Sequence, residues 1–195
     1  MPSPAAPAPW RPRPTARVRS WLGDWLVVAV WLAVLTVVGL LVGQRFADAA
    51  GPALPGVVPL ILADLAITLI TVVPYVVYLS VTESSPRRAT LGKRWSGLVV
   101  ADVDGGAARA GQVWLRNVVK ALPWQLAHLG VSRAILEVQT PLAMTLTVQS
   151  LVLAGACMAP ALVGGRGLHD RVAGTRVERI GPADRADAPG TGTDR

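Results

Sequence analysis

The chain has 195 residues, of which 52% are hydrophobic and only 16% charged, with a formal net charge of +7. An ordinary soluble domain carries about 25% charge, so the composition excludes a typical soluble globule and points to a membrane protein. One cysteine, Cys157, and two histidines, His128 and His169, exclude a disulfide framework and a Cys/His metal cluster. No cofactor is expected.

Met1 to Pro14 holds six of the sixteen prolines. Residues 1–14 therefore read as a disordered tail. The apolar run after it is longer than a signal-peptide core and lacks a small-residue cleavage site, so it reads as a retained span. Trp25 to Gly43 carries no charge, and span 1 is placed at about 21–43. Residues 44–56 hold one base, Arg45, and one acid, Asp48.

Span 2 is placed at 57–82, with Asp64 inside it and Pro74 as a kink. A lone acid at that depth needs a partner or water, and Arg45 is within reach as a cap. With a later start to the span, Asp64 is simply interfacial. The basic residues Arg87, Arg88, Lys93 and Arg94 follow directly. They read as a positive anchor at the cytoplasmic face, facing anionic lipid headgroups together with Arg116.

Leu98 to Ala101 is β-prone and 102–106 is a turn signal, which predicts a short β-hairpin. From 110 to 131, Gln112, Arg116 and Lys120 follow Arg109 at helical spacing and make one polar stripe. Arg116 and Lys120 are costly in a lipid-facing span. A helix lying at the cytoplasmic interface is favoured over a re-entrant or crossing one, with Pro123 interrupting it. Thr140 to Gly165 is free of charge and places span 3 at 140–163. Residues 181–195 read as a second disordered tail. The fold class is thus all-α membrane protein, with three spans, an interfacial helix and a short hairpin, and the membrane domain covers 15–180.

Orientation follows from the arginines. Residues 1–23 hold four and no acid, and residues 83–139 hold eight bases against four acids, so both should be cytoplasmic. The 166–195 tail is less decided, because three spans put it outside while its six arginines favour inside.

Three pieces occur in order. Arg17 precedes Asp24 by seven residues. Thr90-Leu91-Gly92-Lys93-Arg94 leads to Gly97-Leu98-Val99-Val100 and, later, Leu115-Arg116-Asn117. Leu168-His169-Asp170 leads to Ala173-Gly174-Thr175 and Val177. This pattern resembles the RDD family of bacterial membrane proteins, named for one arginine and two aspartates. The resemblance implies a multi-pass protein of the cytoplasmic (plasma) membrane. It assigns Arg17 and Asp24 to the arginine and first aspartate, and Asp170 to the second, beside the motif histidine His169. It also implies transport, since cation/proton exchange is attributed to some members.

On the residues alone two functions stand. One is a small transporter exchanging a monovalent cation for protons, with Asp24 and Asp64 as carriers. Three spans are few, so it would work as a homo-oligomer or with a membrane partner. The other is a non-catalytic scaffold or accessory subunit that holds a partner or anionic lipid through its cytoplasmic basic face. An enzyme is not expected, because neither a nucleophile elbow nor a phosphate loop is present. Nucleic acid is not expected either, because the basic clusters lack interleaved aromatics. Asp170 is expected to pair with a cytoplasmic arginine, Arg17, Arg94 or Arg116.

Overall fold

The computed structural model describes residues 11–50 and 57–180, with the side chains of 44–50 and 57 excepted. Of the tail expected at 1–14, residues 1–10 lie outside these, as do the tail expected at 181–195 and the side chain of Arg45, while Pro14 already opens a helix.

The first helix, α1 (Pro14–Ala50), starts at a proline, whose fixed φ and missing N–H suit the first helical position. It runs 37 residues, about 55 Å at 1.5 Å per residue. The second helical column is α2 (Val57–Ile67), a π-helical segment Thr68–Val72, and α3 (Val73–Glu83). The π-segment sits just before Pro74, the expected kink. Proline cannot bond the carbonyl four residues back and its ring crowds it. That carbonyl belongs to Ile70, and it accepts the Trp31 Nε1–H of α1 at 2.9 Å. The distortion is therefore satisfied from a neighbouring helix, not left open in the apolar interior.

A short helix, α4 (Leu91–Trp95), and a strand, β1 (Leu98–Asp102), follow. Helix α5 (Ala110–Ile135) then runs 26 residues without a break. Pro123, expected to interrupt it, lies inside the helix, and its carbonyl accepts Ser150 Oγ–H at 2.7 Å. Helix α6 (Thr140–Leu162) returns antiparallel along it, so Gly130 packs on Ala143 and Thr147 while Pro123 meets Ser150. The stretch expected to lie across the membrane face is thus a fourth helical column packed lengthwise on α6. Arg116 and Arg133 can be there because their partners are supplied by the elements around them.

A last short helix, α7 (Leu168–Val172), leads to β2 (Thr175–Arg179). The antiparallel two-stranded element is present, but its pairing is long-range. Leu98 lies opposite Arg179 and Asp102 opposite Thr175. The chain after the 102–106 turn contributes only an Ala101–Ala107 bridge.

Three helices are long and apolar enough to cross a membrane: Pro14–Gly43, Val58–Glu83 and Thr140–Leu162. Large apolar side chains such as Leu40, Leu41, Leu65, Leu151 and Val152 are exposed along them, as lipid-facing positions require. The fully buried residues gather instead at one end, where α3, α4, α5, α7 and the ribbon meet the start of α1.

Candidate functional site: the buried charge cluster

That end is built around seven polar residues. Asp24, Glu83, Thr90, Lys93, Arg116, Asn117 and Asp170 are all buried, and Glu83 is 1% exposed.

Asp24 sits about three turns into α1 and holds the N-terminus of α4. Its Oδ1 accepts the Gly92 N–H at 3.0 Å and its Oδ2 accepts the Thr90 hydroxyl at 2.9 Å. Thr90 in turn caps α4 by accepting the Lys93 N–H. A carboxylate at a helix N-terminus meets unpaired N–H groups. Gly92 is required by closeness. A Cβ there would lie 2.0 Å from the Ser20 carbonyl oxygen, and one on Gly23 would lie 2.8 Å from the Gly92 Cα. The two backbones touch only because neither residue has a side chain.

Glu83, the last residue of α3, is the hub. It accepts Lys93 Nζ at 2.7 Å, Arg116 Nη1 at 2.6 Å and Asn117 Nδ2 at 3.0 Å. Arg116 also donates from Nε to Asp170 Oδ1 at 2.7 Å, and the Thr175 hydroxyl donates to the same oxygen at 3.1 Å. Lys93 lies 3.7 Å from Asp24 Oδ2. One network therefore joins α1, α3, α4, α5, α7 and β2. Burial alone would raise the Asp170 carboxyl, but the Arg116 guanidinium holds it down, at about 2. Burial pushes the His169 imidazole down to about 3, so it is neutral near pH 7 despite Asp170 at 3.5 Å.

At the far end of the bundle Asp64 is paired with Arg133 Nη2 of α5 at 2.8 Å. Its partner among the described residues is thus a residue of a neighbouring helix. Asp24 and Asp64 lie at opposite ends of the bundle.

The structure brings Asp24, Arg116, His169 and Asp170 to one end of the bundle, and of the three arginines open for Asp170 it is Arg116 that pairs. Lys93 and Arg116, however, do not belong to an exposed basic face. They are 4% and 2% exposed, turned inward by Glu83 and Asp170. Arg87 and Arg94 are exposed, and Arg88 is half-buried. Sequence reasoning missed Glu83. Its signal was position, since it is the first acid after Asp64 and it closes an apolar span.

Beside the cluster a cavity of about 120 Å³ is lined by Arg17, Asp24, Lys93, Arg116, Lys120 and His169 on its polar side. A larger, mainly apolar cleft of about 400 Å³ adjoins it, with Trp21, Trp25, Trp124, Ala154, Cys157 and Met158 in its walls. The two share Trp21, Lys120, Cys157, Met158 and His169. Trp25 of α1 stacks on Trp124 of α5 with ring centroids 4.9 Å apart, and Trp124 on His128 at 5.5 Å. No group of three or more His, Cys, Asp or Glu that could hold a metal occurs among the described residues.

An apolar helical bundle closed at one end by a buried ion-pair network defines an integral membrane protein. The family profile of the RDD family matches residues 11–174, and the chain belongs to that family. No curated protein and no solved structure matches it.

Proposed function

We propose that the protein is a non-catalytic membrane module, a scaffold or accessory subunit, whose cytoplasmic end binds anionic lipid. One observation carries this reading: every carboxylate identified at the spans is already held. Asp24 is taken by Gly92, Thr90 and Lys93, Asp64 by Arg133, Glu83 by three donors and Asp170 by Arg116 and Thr175. A proton or cation carrier needs an acid free to change charge. A buried carboxylate bonded by cations favours its ionised form and resists protonation.

In this reading the charged end is cytoplasmic, as the four arginines of residues 1–23 favour, in the plasma membrane of a bacterium. Helix α5 crosses alongside α6 as a fourth pass. Its Arg116 is neutralised by Glu83 and Asp170, which lowers the cost of placing it there. Four passes put residues 166–180 on the same side as α1's start, and the six arginines of 166–195 agree. Exposed Arg87, Arg94 and Trp95 then face headgroups.

The rival is cation/proton exchange by an oligomer with Asp24 and Asp64 as carriers. Reconstitution into liposomes separates the two. The module carries no pH-gradient-driven cation flux above protein-free vesicles and retains more phosphatidylglycerol than phosphatidylcholine on purification. A flux that disappears in Asp24→Asn or Asp64→Asn overturns the reading.

A further inference from the structure

The cavity beside the charge cluster has an imbalance that the network does not absorb. Four cations, Arg17, Lys93, Arg116 and Lys120, stand against three carboxylates, Asp24, Glu83 and Asp170. Lys93 and Arg116 make the close ion pairs with all three acids. Lys120 joins no ion pair among the described residues, and Arg17 Nε is buried with no hydrogen-bond partner. Both residues line the cavity. Both side chains are half-buried, a partly desolvated cation without a close counter-ion is costly, and the surplus is one charge.

The cavity does not close on itself. Through Trp21, Lys120, Cys157, Met158 and His169 it continues into the apolar cleft between α1 and the α5–α6 pair. Met158, Trp21 and Trp25 on the rim are 42%, 39% and 37% exposed. Tryptophan prefers the level of the headgroups. A single negative charge is therefore wanted at one end of a cleft, and hydrocarbon at the other, at the depth where a leaflet changes from phosphate to chain.

We infer that this cleft is a specific site for one anionic phospholipid. Its phosphodiester lies against Arg17 and Lys120, and an acyl chain runs between α1 and α6 past Met158 and Cys157 toward Ala154. A phosphodiester carries one negative charge, which neutralises the surplus. The arginine supplies a fork of donors and the lysine a point charge. The site rests on the lipid-binding reading of the molecule but is distinct from the outer basic residues Arg87 and Arg94.

Native mass spectrometry of the purified full chain, titrated with phosphatidylglycerol, tests the site. The wild type retains one phosphatidylglycerol and binds phosphatidylcholine at least ten-fold more weakly. Arg17→Gln and Lys120→Gln each weaken phosphatidylglycerol at least ten-fold, while Arg87→Gln/Arg94→Gln leaves that one lipid in place. Ala154→Phe, which fills the apolar end without touching a charge, weakens the lipid too, so the result does not hang on the folding of charge variants. Undiminished binding in Lys120→Gln or Ala154→Phe overturns the site. Inorganic phosphate competing as well as the intact lipid also overturns it, because the ligand is then a free anion. Loss of the site with vesicle binding still dependent on Arg87 and Arg94 leaves the broader lipid-binding reading standing; flux lost in Asp24→Asn removes that reading instead.

Discussion

Arg116 and Asp170 are 54 positions apart and meet at 2.7 Å with both side chains buried. The pair fastens α5 to the segment that follows α6, and through Glu83 it extends to the end of α3. Breaking a buried pair by removing one partner costs about 3–5 kcal/mol, because a charge is left uncompensated. Arg116→Met strips Glu83 and Asp170 together, so it should lower the melting temperature in detergent severely. Glu83→Gln in the same background should cost less than it does alone, by a coupling of about 0.5–3 kcal/mol. Additive losses would show that the two do not interact.

Gly92→Ala should disrupt the docking of α4 on α1. Its Cβ would sit 2.0 Å from the Ser20 carbonyl oxygen and 2.7 Å from the Asp24 nitrogen, and backbone cannot yield as a flexible side chain does. Gly111→Ala on α5 is the control, since nothing lies within 4 Å of its Cβ. In a helix it should be neutral or stabilise by up to about 1 kcal/mol. Thermal melts of the two variants should therefore move in opposite directions or differ strongly in size.

Acid should loosen the charged end of the bundle in two stages. Folded His169 is pushed from 6.5 to about 3 by burial, so below pH 6.5 the unfolded chain takes up a proton that the folded one refuses. Its stability contribution is intact above pH 6.5 and falls as pH drops toward 3. The slope is about 1.4 kcal/mol per pH unit, or about 2 kcal/mol by pH 5. Asp170, lowered from 3.8 to about 2, stabilises above pH 3.8 and loses that contribution as pH falls through 2. Melting temperature should decline between pH 7 and 5 in the wild type and stay nearly level in His169→Gln. A parallel decline in both would remove His169 from the account.

Trp31 and Pro74 should be coupled, although they do not bond each other. The Ile70 carbonyl is freed by Pro74 and taken up by Trp31. Trp31→Phe then leaves an acceptor on the apolar, membrane-spanning surface unsatisfied, at about 1–3 kcal/mol. With Pro74→Ala the backbone regains its own donor, and Trp31→Phe should cost less there. Equal costs in both backgrounds would mean that the tryptophan serves only as bulk.

The three apolar spans were legible because a membrane core demands long uncharged helices, and Trp25–Gly43 and Thr140–Gly165 supply them without ambiguity. The motif residues were legible as a set. Thr90, Gly92, Lys93, Arg116, Asn117, Asp170 and Thr175 turn out to be one network. What the sequence hid was the direction in which each side chain points. Lys93 and Arg94 are neighbours of equal charge, yet one turns inward to Glu83 and the other outward. Nothing local separates them; the choice depends on a carboxylate ten residues earlier. Helix α5 was hidden for the same reason. Its polar stripe looks like a face for water or headgroups, and only Glu83, Asp170, Gln125's contact with Thr68 and Asp64's with Arg133 make it an interior face. The strand pairing was missed because a good turn at 102–106 suggested a local partner, whereas the partner follows α6.

Both ends of the described domain meet in one charge cluster, and the proposed orientation puts that end in the cytoplasm with α5 crossing beside α6. Single cysteines at positions 13, 137 and 179, in a Cys157→Ser background, test it by labelling intact cells with a membrane-impermeant maleimide before and after permeabilisation. Position 137 should react in intact cells, while 13 and 179 should react only after permeabilisation. Labelling of 179 from outside, or protection of 137 together with 13, would contradict it.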